Sequence, residues 1–377
     1  MAEGYTLRPY QLEVIEDTEA ALMFGSTNIV VESPPACVPG FTEFLTPNGW
    51  KRIDEYKYTD SVCVWNQDGS TKFEEPLKYI NQNCKDNFIN IKTNGIDITV
   101  SDNHKMPYLT NKGRKNSKHS VKNAKELFKI GEISIPRKFS SPVFNNKIDF
   151  TVDEMKVLIM QAADGSIINL KSENTIRINL KKERKKERAR LLLKNANIKY
   201  KEKIQTNGYS VFTYKFKCSL KDLSFLYLLT QSQLCSLVYD IIFWDGSNPN
   251  NDKFNYTGAT FHGNYRDVTA VQYALSAALG KYVSINKDKR IYKNEDIYSC
   301  RVSSDEKSFI KTRRNDGAKA AEITHLEPED GKHYCFETST GFWIMRQNNQ
   351  IYPTGNSGKS IIISKTAQEL SKQGNVV

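Results

Sequence analysis

The feature that most constrains this chain is a loop whose two halves lie at opposite ends of the sequence. Asn28-Ile-Val-Val-Glu32 is a short apolar run of strand type, and Ser33-Pro-Pro-Ala36 then begins a turn that breaks off at Cys37. The other half is Ser357-Gly-Lys-Ser360, followed by an isoleucine run and a helix-type stretch over 365–373. Joined at Ala36 and Ser357, the halves read SPPASGKS between a strand and a helix, with Ser33 where a glycine usually opens the pattern. In a loop of this kind backbone N–H groups cradle phosphates, Lys359 neutralises them and Ser360 ligates Mg2+. A loop that must close on a triphosphate cannot also hold residues 37–356. Either the insert leaves, or the nucleotide chemistry is lost.

The chain has 377 residues, enough for two to three domains of roughly 150 residues each. Its 39% hydrophobic and 26% charged content excludes a disordered tail. Lys and Arg total 54 against 43 Asp and Glu, and the resulting +11 favours a polyanionic partner such as nucleic acid. No run approaches the roughly 20 apolar residues of a membrane span, and MAEGYTLRPYQ lacks the layout of a signal peptide. Cys37, Cys63, Cys84, Cys218, Cys235, Cys300 and Cys335 form no CxxC pair, so neither a zinc site nor a disulfide framework is expected. These features predict an intracellular, cytoplasmic chain with no membrane partner; a monomer, in a bacterium or a phage-infected cell, is the accompanying expectation. At the N-terminus, Leu12, Ile15, Leu22 and Met23 follow helical spacing. Leu7-Arg-Pro-Tyr-Gln11 resembles the adenine-contacting segment of superfamily II helicases, which implies ATP and Mg2+ at Gln11, Gly358, Lys359 and Ser360 once the loop is joined. The flanks carry no second ATPase motif, so no ATP hydrolysis is expected of the unjoined chain.

The borders of the insert carry the chemistry of self-excision. The Cys37 thiol stands beside the carbonyl of Ala36 and can turn that peptide bond into a thioester. The Ser357 hydroxyl can take over the acyl group, and the Asn356 amide can attack its own carbonyl and release the insert as a succinimide. Cys37-Val-Pro-Gly-Phe-Thr42 with Thr46-Pro-Asn-Gly-Trp50, Ser101-Asp-Asn-His104, His333-Tyr-Cys-Phe-Glu337 with Phe342-Trp-Ile344, and Ile351 to Ser357 together resemble the splicing blocks of cysteine-first inteins. The resemblance covers 37–140 and 319–356. It implies that Ser101 and His104 contact the scissile amide, with His104 as general acid. It also places Cys335 where the family often has Asp, in a position to tune the branch-point transfer. Two departures stand out: Gly355 replaces the usual penultimate His, and the block around Phe342 has no His. Asn activation then falls to backbone N–H donors, with His325 and His333 as substitutes or as plain hairpin histidines. The remaining cysteines read as small buried hydrophobes.

Residues 141–318 exceed what excision needs, and they contain a repeat. Val157-Leu-Ile-Met-Gln-Ala-Ala-Asp164-Gly-Ser166 and Val238-Tyr-Asp-Ile-Ile-Phe-Trp-Asp245-Gly-Ser247 are apolar helix-type runs that each close on Asp-Gly-Ser. Each leads into a strand-type stretch (175–180; 254–261) and then an amphipathic helix (187–195; 267–279). Gly165 and Gly246 suit helix C-caps. An Asp in the last turn opposes the helix dipole, and a metal would relieve it. The pair resembles the two LAGLIDADG motifs of homing endonucleases, which implies Mg2+ at Asp164 and Asp245, cleavage of double-stranded DNA, and the insert-free helicase gene as target. Lys181-Lys-Glu-Arg-Lys-Lys-Glu-Arg188, Arg177, Lys253, Arg266 and Lys281 would meet phosphates, although the run also reads as a solvated helix face. Ile159 and Asp240 stand where the family has small residues at the helix crossing.

The expected architecture is therefore mostly β: a splicing domain of hedgehog–intein (HINT) type, an inserted α+β pseudo-twofold endonuclease domain, and short α/β flanks at 1–36 and 357–377. Three functions compete. They are an autoprocessing chain that also cuts DNA, a DNA endonuclease or DNA-binding module whose splicing has failed, and a P-loop ATPase with a structural insertion.

Overall fold

The computed structural model describes residues 15–18, 20–21, 23–24, 36–83, 86–93, 95–110, 120–127, 132–142, 149–170, 173–218, 221–250, 255–292, 295–304, 307–311 and 321–355. The expected sites at Gln11, Asn356, Ser357, Gly358, Lys359 and Ser360, the Lys253 contact and Cys84 lie outside these residues. The structure is mostly β.

The first lobe interleaves strands from residues 43–136 with strands from residues 307–355. In its six-stranded sheet, Phe342–Gln347 lies between Glu43–Thr46 and Val62–Trp65, and Gln350–Gly355 pairs back onto it. Lys332–Glu337 pairs Lys78–Asn83, and Glu322–Leu326 extends the Phe88–Thr93 and Ile96–Ser101 hairpin. The strands nearest the expected junctions are buried on both faces, as their apolar runs require: Phe342–Gln347 is buried throughout and Ile96–Ser101 at five of its six positions. The chain returns to this lobe before the sequence boundary at 318, because Lys307–Lys311 already pairs Glu132–Pro136.

The second lobe is a duplication: helix, two strands, helix, two strands, twice over. Helices α1 (Val152–Asp164), α2 (Glu183–Asn195), α3 (Gln231–Asp245) and α4 (Tyr265–Leu279) organise it. Each half carries a four-stranded antiparallel sheet with the same order: first, second, fourth, third strand of that half. α1 and α3 begin alike. Thr151 with Glu154, and Thr230 with Gln233, form reciprocal capping boxes that satisfy N-terminal N–H groups at the same point of each repeat. The two helices pack against each other.

Gly165 and Gly246 end these helices in extended, not left-handed, conformation. The expected C-cap geometry is absent, and the need for glycine is a close approach instead. A Cβ at 165 would lie 2.5 Å from the Gln161 carbonyl oxygen, and one at 246 would lie 2.2 Å from that of Thr260.

The lobes share one core. Leu45, Trp65, Phe342 and Ile344 belong to the same buried cluster as Leu226, Leu237, Tyr273 and Val283. The connecting residues are stitched to both sides. The Trp65 indole donates to the Lys138 carbonyl (3.0 Å), the Thr71 hydroxyl to that of Ser140 (2.7 Å), and Ser141 N–H to Gln231 Oε1 (2.8 Å).

Candidate functional site

Cys37 is fully buried and held by two strands. Its N–H donates to Ser101 Oγ (2.9 Å), and its carbonyl accepts from Ser101 N–H (2.9 Å). On the other side Val38 and Tyr334 exchange both backbone hydrogen bonds, at 2.8 and 3.0 Å. Continuing that antiparallel register sets Cys335 across from Cys37 as the close, non-hydrogen-bonded neighbour. The sequence placed Cys335 only by block position; register brings it to the first cysteine.

His104 joins the two ends. Its ring is fully buried, Nε2 is hydrogen bonded to the Thr354 hydroxyl, and Thr354 lies on the strand that leads to Asn356. Burial pulls the imidazole down to about 3, while the backbone of Cys37 and of Ala36 pulls the other way. The ring therefore sits against the Ala36–Cys37 linkage and is neutral at neutral pH. Nδ1 has no hydrogen bond of ordinary geometry among the described residues. Thr354 was not singled out from sequence; it follows only once the Gln350–Gly355 strand is placed beside His104.

Gly355 has a physical reason. A Cβ there would lie 2.7 Å from the Lys105 carbonyl oxygen and 3.0 Å from both Lys105 Cβ and the Phe342 ring. The space that a penultimate His would need is filled by backbone. Of the proposed substitutes, His333 is buried, stacks on Phe88 at 4.2 Å and bonds the Asp86 carbonyl through Nε2 at 2.9 Å. His325 and His333 line a recess of about 250 Å3 with Ser101, Asp102 and Asn103. That places both beside the Ser101 side of the site, with His333 committed as a hairpin histidine.

In the second lobe the two acids come together at the ends of α1 and α3. Burial first, then repulsion from Asp164, pushes the Asp245 carboxyl up to about 6; Lys185 acts in the opposite sense. The Lys185 ammonium lies 2.6 Å from Asp164 Oδ2 and 5.4 Å from the centre of the Trp244 ring. Beside Asp245 a cleft of about 470 Å3 opens between Ala162, Trp244, His262 and Asp267. A carboxylate pair in which one member is hard to ionise suits a divalent cation, and Asp164 and Asp245 are the residues that would hold it. Among the described residues no group of three metal-type side chains is assembled.

Several basic residues expected at phosphates are used internally. Arg188 forks onto Asp240 at 2.9 and 2.6 Å and Lys186 pairs Glu183; Arg190, beyond the expected run, likewise pairs Glu202 and Glu183. Asp240, at the helix crossing, is 1% exposed and is balanced by that fork. Lys181, Lys182 and Arg184 remain exposed. Register supplies a different basic surface. Arg177 pairs Thr213, which pairs Lys201, while Thr175 pairs Lys215 and Asn179 pairs Val211, which pairs Lys203. These residues share the face opposite buried Ile176, Ile178 and Leu180. In the second sheet Arg301 lies on the corresponding face. Of the other expected contacts, Arg266 is exposed and pairs Asp222 at 3.5 Å, and Lys281 donates to Thr257 at 2.8 Å. Cys63 and Cys300 are buried, and burial raises both thiols to about 12; Cys235 is exposed on α3, against the expectation of a buried residue.

No protein-family model matches the chain. An ATP-dependent Clp protease proteolytic subunit from Chlamydomonas moewusii is 27% identical over 95 residues, 25% of this chain and 9% of that one. Structural neighbours include a class 3 split intein, AceL NrdHF, in a splice-inactive variant. It has a TM-score of 0.31 and 11% identity over 86% of this chain and 99% of that chain. They also include the homing endonuclease I-DmoI in complex with DNA and Mn, with a TM-score of 0.28 and 15% identity over 41% of this chain and 91% of that chain. No described helix is long and apolar enough to cross a membrane.

Proposed function

We propose that residues 37–356 are a self-excising insert that leaves by protein splicing and rejoins Ala36 to Ser357, restoring a helicase phosphate loop. The observation that carries this reading is His104, one buried ring lying against the Ala36–Cys37 linkage and bonded to Thr354, two residues before Asn356. The bonds to be broken at both ends are then served from one place.

The steps balance without water or a co-reactant. Cys37 Sγ attacks the Ala36 carbonyl carbon, the C–N bond to Cys37 breaks, and the nitrogen takes a proton to leave as an amine. His104, held neutral by burial, accepts a proton and as a strong acid passes it to that nitrogen. Ser101 fixes the Cys37 backbone on both its N–H and its carbonyl, which holds the linkage in place for attack. Ser357 Oγ then displaces the Cys37 thiolate. The Asn356 side-chain nitrogen attacks its own main-chain carbonyl, and the Ser357 amine departs and captures the acyl group from its own oxygen.

The test is intact mass. Wild type should give a ligated product of residues 1–36 and 357–377 beside the free insert, whereas the Cys37→Ala, Asn356→Ala double variant should remain one species. An uncut wild type would remove the proposal.

A second activity is favoured by the paired Asp164 and Asp245 at the centre of a duplicated lobe: recognition and cleavage of double-stranded DNA. A divalent cation such as Mg2+ at these carboxylates, when bound, supplies positive charge for in-line hydrolysis of a phosphodiester. Lys185 balances Asp164, and the face carrying Arg177, Lys201, Lys203 and Lys215 would meet backbone phosphates. The insert-free helicase gene is the target to try first. Cutting by the double variant and loss of cutting on Asp164→Asn or Asp245→Asn would support this activity; duplex binding without cutting would reduce the lobe to a DNA-binding module.

A further inference from the structure

Arg137 stands where the chain leaves the first lobe, and the splicing steps above make no use of it. It is 2% exposed, as buried as the apolar residues around it. Its guanidinium lies between two rings, 3.9 Å from the centre of Tyr352 in the first lobe and 4.3 Å from that of Tyr282 in the second. The same group donates to the Ile351 carbonyl (2.9 Å), to Gln350 Oε1 (3.1 Å) and to the Gly95 carbonyl. Ile351 and Tyr352 belong to the Gln350–Gly355 strand, whose Thr354 bonds His104 and whose next residue is Asn356.

The turn that launches this strand is also held by the second lobe. Asn348 and Asn349 both adopt left-handed conformation, with φ of 47° and 60°. From α4, the Tyr265 hydroxyl donates to Asn349 Oδ1 at 2.7 Å and Gln272 Nε2 donates to the Asn349 carbonyl at 2.6 Å. The final strand is therefore gripped at its turn by α4 and two residues later by Arg137, which is itself stacked on Tyr282.

We propose that Arg137 is a positioning residue for the C-terminal splicing step, through which the second lobe sets the backbone that presents Asn356. The inference rests on the splicing reading. Burying a guanidinium costs free energy that an apolar side chain of similar volume would not incur, so space-filling alone does not account for arginine here. Its planar fork meets two rings and carbonyl groups at once, which a lysine ammonium cannot do. Cyclisation of Asn356 needs its side-chain nitrogen placed against its own carbonyl, and small misplacements of reacting atoms cost large factors in rate. The N-terminal step is organised by Ser101, Tyr334 and His104, whereas Arg137 holds Gln350, Ile351 and Tyr352 of the final strand together with Gly95 and Tyr282.

The experiment uses the full chain. Thiol-induced cleavage after Ala36 reports the first step; release of residues 357–377 in a Cys37→Ala background reports cyclisation. Arg137→Lys should slow C-terminal release by about tenfold or more while thiol cleavage stays within about twofold. Tyr282→Leu, at a half-buried residue on the far side of the sandwich, should show the same selectivity at smaller size and covers the case in which Arg137→Lys misfolds. Equal slowing of both steps, or slowing of neither, would overturn the positioning role. A wild type that performs neither cleavage would instead overturn the splicing reading itself.

Discussion

Replacing Gly355 by histidine would install the residue that the splicing family usually carries before its terminal Asn, and resemblance alone predicts a faster reaction. The structure predicts the opposite. The first atom of any side chain at 355 would meet the Lys105 carbonyl oxygen at 2.7 Å, and Lys105 Cβ and the Phe342 ring at 3.0 Å, where ordinary contact begins at 3.4 Å. Two of those neighbours cannot rotate away, so the last strand itself must shift by roughly half an ångström. Overpacking of this kind costs about 1–3 kcal/mol, and the imidazole beyond Cβ puts Gly355→His at the upper end. At about 2–4 °C per kcal/mol for a chain of this size, the melting temperature should fall by roughly 4–10 °C. The same shift moves Asn356, so its cyclisation should slow by about 10²-fold. Thiol cleavage after Ala36 should slow by a smaller factor, because Thr354, the partner of His104, lies next to the substituted position. Gly355→Ala carries the same Cβ and should show most of the loss. Calorimetry and the release of residues 357–377 measure both effects. An unchanged melting temperature with faster release in Gly355→His would refute the reasoning, because it would mean that the strand yields and the missing imidazole had been limiting.

Three further outcomes are expected. Thr354→Val removes the partner of His104 Nε2 and should slow thiol cleavage, whereas His104→Ala should slow it by about 10²-fold or more; equal rates in Thr354→Val and wild type would show that the hydrogen bond is incidental. Burial lowers the His104 value in the fold to about 3 from an unfolded 6.5, so its contribution to stability is complete above about 6.5 and is lost as pH falls towards 3. Between pH 6.5 and 5 this amounts to about 2 kcal/mol, and urea melts of His104→Gln should lack that slope. Asp240→Ala strands the Arg188 guanidinium and should cost about 3 kcal/mol, while the Arg188→Met, Asp240→Leu pair should come close to wild type in denaturant midpoint.

What the sequence conveyed best was chemistry tied to neighbours in the chain. The Cys37 motif, the Ser101-to-His104 spacing and the repeated Asp-Gly-Ser endings each rest on a few contiguous residues. The fold sets Ser101 and His104 beside Cys37, and the two acids at the ends of α1 and α3. Helices α1 and α3 were legible for the same reason, because their apolar runs are local, although Gly165 and Gly246 do not cap them in the expected way. What was not legible depends on register between distant strands. Thr354 gains meaning only beside His104, and Cys335 only across from Cys37. The basic face of Arg177, Lys201, Lys203 and Lys215 appears when three strands are aligned, whereas the more conspicuous run at 181–188 spends Lys185, Lys186 and Arg188 on internal partners. Gly355 read as a defect from sequence because the Lys105 backbone that fills its space lies far away in the chain.

The central place of Phe342–Gln347 between Glu43–Thr46 and Val62–Trp65 has a consequence for biosynthesis. A ribosome adding about 5–20 residues per second needs on the order of tens of seconds to pass from residue 65 to residue 342, and until then the sheet behind Cys37 has a gap in its middle. The partner that sets Cys335 across from it, Tyr334, arrives in the same late segment, as does Thr354, which anchors His104. A nascent chain therefore carries Cys37 without these surroundings until the segment through residue 355 has been made. On the splicing reading, cleavage at that point would release residues 1–36 before the segment they are proposed to join exists. By keeping the last strands to complete the sheet, the fold ties the surroundings of Cys37 to the synthesis of residues 332–355, nearly three hundred positions later.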